Sequence, residues 1–196
     1  MKTTILKKWA VVGLALFIGT ATFAENYKVD ASASNVSWLG KKVTGEHSGT
    51  ISVEKGTLQV EDGVIKGGTV SIDMKSLKCT DLTDAEYNQK LVGHLKSDDF
   101  FAVETNPTAT LVLKDVKKSG DEYTFSGDLT IKGITKPITF KGTSSSENGA
   151  VKVTGDLTID RSDYDVKYGS SSFFDNLGDK MIYDEFTLKF ALVAQK

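Results

Sequence analysis

Side chains able to do chemistry are sparse in this 196-residue chain. It carries two histidines, His47 and His94, one cysteine, Cys79, and one arginine, Arg161, against 23 lysines. One Cys and two His cannot build a Cys₄ or Cys₂His₂ zinc centre. His47 with His94 would serve a metal only if folding brought carboxylates to them. Cys79 has no partner for an internal disulfide. It reads as a reactive thiol or, more commonly for a free Cys, as a small buried apolar residue. His94, Ser97 and Asp98 invite a hydrolase reading. They crowd one short stretch, no Gly-x-Ser-x-Gly turn is present, and a triad is recognised by geometry. No nucleophile, base and orienting partner emerge together, so we expect no enzyme.

Arg161 falls on the apolar parity after Leu157 and Ile159. Two roles suit it: a rim contact to a ligand head group, or a buried ion pair with Asp98, Asp99, Asp163 or another acid. The planar guanidinium favours the pair. His94 likewise reads as a head-group or rim contact, or as a partner of helix-end carbonyls.

Apolar surface is what the chain has in quantity. Trp38, Phe100, Phe101, Tyr123, Phe125, Phe140, Phe173, Phe174, Phe186 and Phe190 are many large rings for one core. Aromatic faces suit an elongated apolar ligand, although the same rings can fill a core. Val53, Ile72, Met74, Leu95, Leu129, Ile131, Leu157, Ile159 and Leu188 complete the candidate lining.

Strands must position these groups. Tyr123, Phe125, Leu129 and Ile131 share one parity, while Thr124, Ser126, Asp128 and Thr130 share the other. Val151, Val153, Leu157 and Ile159 repeat the pattern, as do Ile182, Phe186, Leu188, Phe190 and Leu192. A period of two with one polar face predicts antiparallel strands wetted on one side. Turns are expected at Lys55-Gly56, Asp62-Gly63, Gly67-Gly68, Ser119-Gly120, Lys132-Gly133 and Asn148-Gly149. Lys136-Pro137 reads as an edge-strand device. Gly127-Asp-Leu-Thr-Ile131 recurs as Gly155-Asp-Leu-Thr-Ile159, placing two glycines on the apolar parity, where strands curve or the lining has a gap.

One helix is expected. Thr83 and Glu86 have capping-box spacing, Leu82 and Tyr87 suit a hydrophobic staple, and Tyr87, Leu91 and Leu95 form a stripe ended by Ser97-Asp98-Asp99. A second helical turn is expected over Ser172–Leu177. About eight strands with one inserted helix fit a two-sheet sandwich or a closed up-and-down barrel. Short sequential hairpins favour the all-β antiparallel barrel, which has no exposed edge.

The N-terminus has a different composition. Lys2, Lys7 and Lys8 precede the uncharged run Trp9–Gly19, and small residues lead to Ala24 before Glu25. This is the layout of a signal peptide, and the apolar run is too short to span a membrane. We expect 1–24 to be the signal and 25–196 the barrel domain. That gives a periplasmic or secreted protein with no stable membrane insertion after cleavage. Beyond residue 24, 21 basic residues face 26 acidic ones, which gives no electrostatic reason for a nucleic-acid partner.

Three ordered segments resemble the YceI-like family. They are His94-Leu95-Lys96-Ser97 with Phe100-Phe101 and Asn106-Pro107-Thr108-Ala109, then Leu129–Pro137, then Ile159-Asp160-Arg161-Ser162-Asp163-Tyr164. The resemblance implies a periplasmic lipocalin-like barrel holding a long-chain isoprenoid or quinone-type amphiphilic lipid. It implies no catalytic residues and allows a homodimer; we expect no metal and no cofactor beyond a bound isoprenoid lipid. Carriage, storage or sequestration of the lipid is the expected function. The alternative is a stress-response or adhesive module with a packed core.

Overall fold

The structure is a computed structural model that describes residues 24–196. The expected signal segment therefore lies outside the described residues, apart from Ala24.

Nine strands form one closed antiparallel barrel. They are β1 (Glu25–Val29), β2 (Asn35–Lys42), β3 (Gly45–Glu61), β4 (Val64–Cys79), β5 (Thr108–Ser119), β6 (Glu122–Ile131), β7 (Ile134–Glu147), β8 (Ala150–Asp160) and β9 (Ile182–Gln195). Each of β2 to β8 pairs with the next strand in sequence, and β9 returns to β2. β1 and β2 both lie between β3 and β9, antiparallel to each. They are one stave broken at residues 30–34, so the barrel has eight staves. Asp30 holds the break: its carboxylate accepts from the Ser32 and Ala33 amides at 2.9 and 3.1 Å.

At Asp62-Gly63, Lys132-Gly133 and Asn148-Gly149 both central residues have positive φ, which type I′ hairpins require. Two other expected turns are corrected. Lys55-Gly56 lies inside β3 and Gly67-Gly68 inside β4, and these segments pair with each other around register irregularities. A Cβ at Gly68 would lie 2.5 Å from the Thr57 carbonyl oxygen. The glycines allow close backbone approach at bulges, a role locally indistinguishable from a turn.

Among the described residues there is one α-helix, α1 (Ala85–Lys96), which joins β4 to β5. Its N-cap is Asp84, not Thr83: one carboxylate oxygen accepts the Glu86 and Tyr87 amides, both at 3.0 Å. An Asp takes both orphan donors, a contribution of about 1 kcal/mol. The expected Leu82–Tyr87 staple fails because Tyr87 is exposed, and Glu86, expected to complete a capping box with Thr83, pairs with Lys90 instead. No helix forms over Ser172–Leu177; a short 3₁₀ turn follows at Gly178–Lys180 and another lies at Arg161–Tyr164.

The two ends of the barrel differ. One end, here the base, is closed by the Asp62-Gly63, Gly120-Asp121 and Asn148-Gly149 turns. The other, the mouth, carries two long connections, residues 80–107 with α1 and residues 161–181. β7 and β8 pair only from Lys141 and Asp156 toward the base. Toward the mouth, Ile134–Phe140 pair with β6. Pro137, lacking an N–H, belongs to this edge-like half.

Candidate functional site

Strand parity turns one face of every stave inward, and the base half of the interior is filled. Val29, Val60, Ile65, Tyr123, Phe125, Val151 and Ala194 are all buried there. Tyr123 stacks on Phe125 at 5.7 Å, Phe125 on Phe140 at 5.2 Å, and Phe140 meets Phe190 edge-on at 5.7 Å. Glycines make room for these rings: a Cβ at Gly155 would lie 2.8 Å from Phe190 and one at Gly142 would lie 3.2 Å from Phe125.

Above this plug the bore is hollow. A mouth-side cavity of about 190 Å³ is lined by Trp38, Ile72, Met74, Leu95, Phe100, Phe101, Leu129, Ile131, Ile159, Phe186 and Leu188, among others. A deeper cavity of about 90 Å³ is lined by Phe125, Phe140, Leu157 and Phe190 together with Ile72, Leu129 and Leu188. Val36, Ile72, Ala109, Leu129 and Leu188 border both, so the two cavities lie end to end across one constriction.

Four expected lining residues lie elsewhere. Val53 and Tyr123 are buried but border neither cavity. Phe173 and Phe174 are exposed on the 161–181 connection, where Lys167 lies 5.2 Å from the Phe173 ring centre. An irregular connection has no parity that would turn its rings inward. Conversely, Val36, Ile51, Leu77, Leu91, Ala109, Ile182 and Tyr183 line the mouth-side cavity unanticipated. The alternation in β2 and β3 carried the signal for Val36 and Ile51.

Polar groups in the linings concentrate at the mouth: Lys41, Lys42, Glu46, His47, His94, Arg161 and Tyr183. Arg161 is 2% exposed. Its guanidinium donates to the carbonyls of Val166 (2.6 Å), Ile182 (3.0 Å) and Tyr183 (3.2 Å) and lies 5.3 Å from the Phe100 ring centre. Its acidic partner is Asp184, at 3.1 Å, and not Asp98, Asp99 or Asp163. The partner lies across the β8–β9 connection, beyond the reach of local reasoning. That 3.1 Å contact is an ion pair without hydrogen-bond geometry, and Asp184 Oδ2 instead accepts from the Ser170 and Ser172 hydroxyls at 2.9 and 2.7 Å. Burial pulls the Arg161 pKa down, against the opposing fields of Asp184 and Asp160. Burial, aided by Asp163, pushes the neighbouring Tyr164 phenol up to about 12.

His94 also departs from expectation. Its ring does not cap the helix; it meets Tyr168 edge-on at 4.3 Å and Phe100 at 5.8 Å. Ser97 satisfies the helix end, its amide and hydroxyl both donating to the His94 carbonyl. His94 Nε2 is buried with no hydrogen-bond partner among the described residues. No helix among these residues is long and apolar enough to cross a membrane.

A family model described as the YceI-like domain matches residues 27–194. A UPF0312 protein of Pseudomonas aeruginosa is 29% identical over 141 residues, covering 66% of this chain and 67% of its own length. One from Pseudomonas putida is 30% identical over 143 residues, 69% of this chain and 70% of its own. BcnA of Burkholderia cenocepacia superposes with a TM-score of 0.67 at 28% identity, over 85% of this chain and all but 1% of BcnA, a coverage of 99%. A structure described as a polyisoprenoid binding domain from Saccharophagus degradans, implicated in plant cell wall breakdown, gives 0.62 at 18% identity, over 88% and 98%. The last likeness is one of fold.

Proposed function

The chain belongs to the YceI-like domain family, and from that premise we propose that its barrel holds one long-chain amphiphilic lipid, isoprenoid or quinone-type, for carriage, storage or sequestration. The tail occupies the two cavities in series and the head group sits at the mouth. The observation that carries this reading is the polarity gradient: apolar walls along the bore, with polar side chains gathered at one end. The polyisoprenoid-binding description of a protein with the same fold supports the ligand class.

Burying a tail draws on the hydrophobic effect. About 300 Å² of apolar surface would contribute roughly 7 kcal/mol before ordering costs. A hydrocarbon wall is non-directional, so selectivity falls to the mouth. His94 Nε2, buried and unpartnered, is the head-group contact we favour. Residues 1–24 act as a signal peptide in this reading and deliver the protein to the periplasm or beyond. The basic start, the short apolar run and Ala24 support that step.

The packed-module alternative has one observation on its side, the ring-filled base. Denaturing solvent extraction followed by mass spectrometry separates the two. A co-purified long-chain lipid, or uptake of added isoprenoid quinone with quenching of Trp38 emission, is expected. An empty extract with no uptake rejects the carrier.

A further inference from the structure

At the rim of the bore, three side chains with metal-binding atoms converge where β3 and β4 meet at the mouth. They are His47, Cys79 and Asp81, and each offers a ligand atom within 4.8 Å of the other two. His47 Nδ1 lies 3.0 Å from Asp81 Oδ2, and Cys79 Sγ lies 3.1 Å from Asp81 Oδ1. The fold builds this convergence. Cys79 pairs with Gly49 in the β3–β4 ladder, the Thr80 amide donates to the Ser48 carbonyl at 2.9 Å, and the Ser48 amide donates to Asp81 at 2.9 Å. A Cβ at Gly49 would overlap the Lys78 carbonyl, so the strands can close here only over glycine.

The order of the groups excludes a thiol nucleophile. In a Cys-His-acid triad the imidazole stands between thiol and acid, ready to take the thiol proton. Here the carboxylate stands in the middle.

We propose that His47, Cys79 and Asp81 form a site for a single zinc-class divalent cation at the barrel mouth. One sulfur, one nitrogen and one carboxylate oxygen are donors such ions accept together, and three protein ligands leave a position for water. Ligands bound at 2.0–2.3 Å around one tetrahedral ion lie about 3.3–3.8 Å apart. The present spacings need small side-chain adjustments only. Binding replaces the two hydrogen bonds to Asp81: the Cys79 thiol releases its proton to solvent and the His47 proton resides on Nε2. The site opens on the bore, because His47 also lines the mouth-side cavity. Trp38, whose Nε1 donates to the Lys78 carbonyl at 3.0 Å, stands beside it as a reporter.

Co²⁺ titration of the purified, reduced protein tests the proposal independently of any lipid. We expect saturation at one ion per chain, a near-ultraviolet thiolate-to-cobalt band, and displacement by Zn²⁺. Cys79→Ser abolishes the band. His47→Gln, at a half-exposed side chain that the fold tolerates, weakens Co²⁺ affinity by about 10- to 100-fold or more. No band with Co²⁺ in large excess overturns the site, as does a band unchanged in Cys79→Ser. Should Cys79→Ser fail to fold, His47→Gln decides alone: undiminished affinity there overturns the proposal.

Discussion

The base and the mouth of this barrel are built from the same alternating strands, yet one is solid and the other hollow. At the base, two-residue turns draw the staves together, and rings stacked over glycines occupy the axis. At the mouth, two long connections alternate with the tight 43–44 and 132–133 turns, and β7 leaves β8 above Lys141. There the interior is lined in part by side chains delivered from outside the sheet: Leu95 from α1, Phe100 and Phe101 behind it, and Arg161 from the β8–β9 connection. The packed and the hollow end of this eight-stave barrel thus differ in the length of two of their connections and in the side chains those connections deliver.

The largest effect expected from disturbing this division is at Arg161. Arg161→Ala strands Asp184 and three carbonyls, and should cost about 3–5 kcal/mol in denaturant unfolding while changing lipid affinity less. Unchanged melting with a large affinity loss would return Arg161 to a head-group role. Next, Tyr123→Ala in the packed base, at a ring that borders neither cavity, should cost about 3–5 kcal/mol, whereas Phe186→Ala, beside an existing cavity, should cost less than half as much. Equal costs in calorimetry would erase the distinction between the ends. Ala109→Phe at the constriction should cost about 1–3 kcal/mol or less and shut the deeper cavity, cutting uptake of long-tailed quinone more than of short-tailed. Equal loss for both tails would mean the cavities do not act in series.

The smallest effect is the pH response at the mouth. Burial alone would raise the Asp81 pKa, but donors at Ser48, Cys79 and His47 outweigh it and bring it to about 2. A carboxyl depressed below its ordinary 3.8 stabilises the fold above that value. The contribution fades as pH falls through about 2. Asp81→Asn should flatten acid unfolding in this window, and an unaltered acid limb would remove Asp81 from that role.

Much of the barrel was legible because strand period and I′ turn chemistry are local. Asp62-Gly63 and Asn148-Gly149 announce their turns with the residues that adopt positive φ. Gly67-Gly68 carries the same signal and is a strand, since glycine serves bulge and turn alike. Thr83 has the capping-box spacing to Glu86, yet the N-cap is the next residue, Asp84, whose carboxylate accepts two amides; adjacent cap-forming residues leave the helix start ambiguous by one position. Phe173 and Phe174 were misplaced because ring chemistry says nothing about orientation in an irregular connection.

Sequence by itself determined the inward and outward faces, the three I′ hairpins, one helix and the family. Those depend on period, φ preference and ordered motifs, all readable within a few residues. Tertiary structure alone decided that the bore is open at one end, that Arg161 answers to Asp184, and that His47, Cys79 and Asp81 meet. The space left at a barrel axis depends on side chains from all eight staves at one height, and contacts across the mouth join residues that only closure of the barrel brings together.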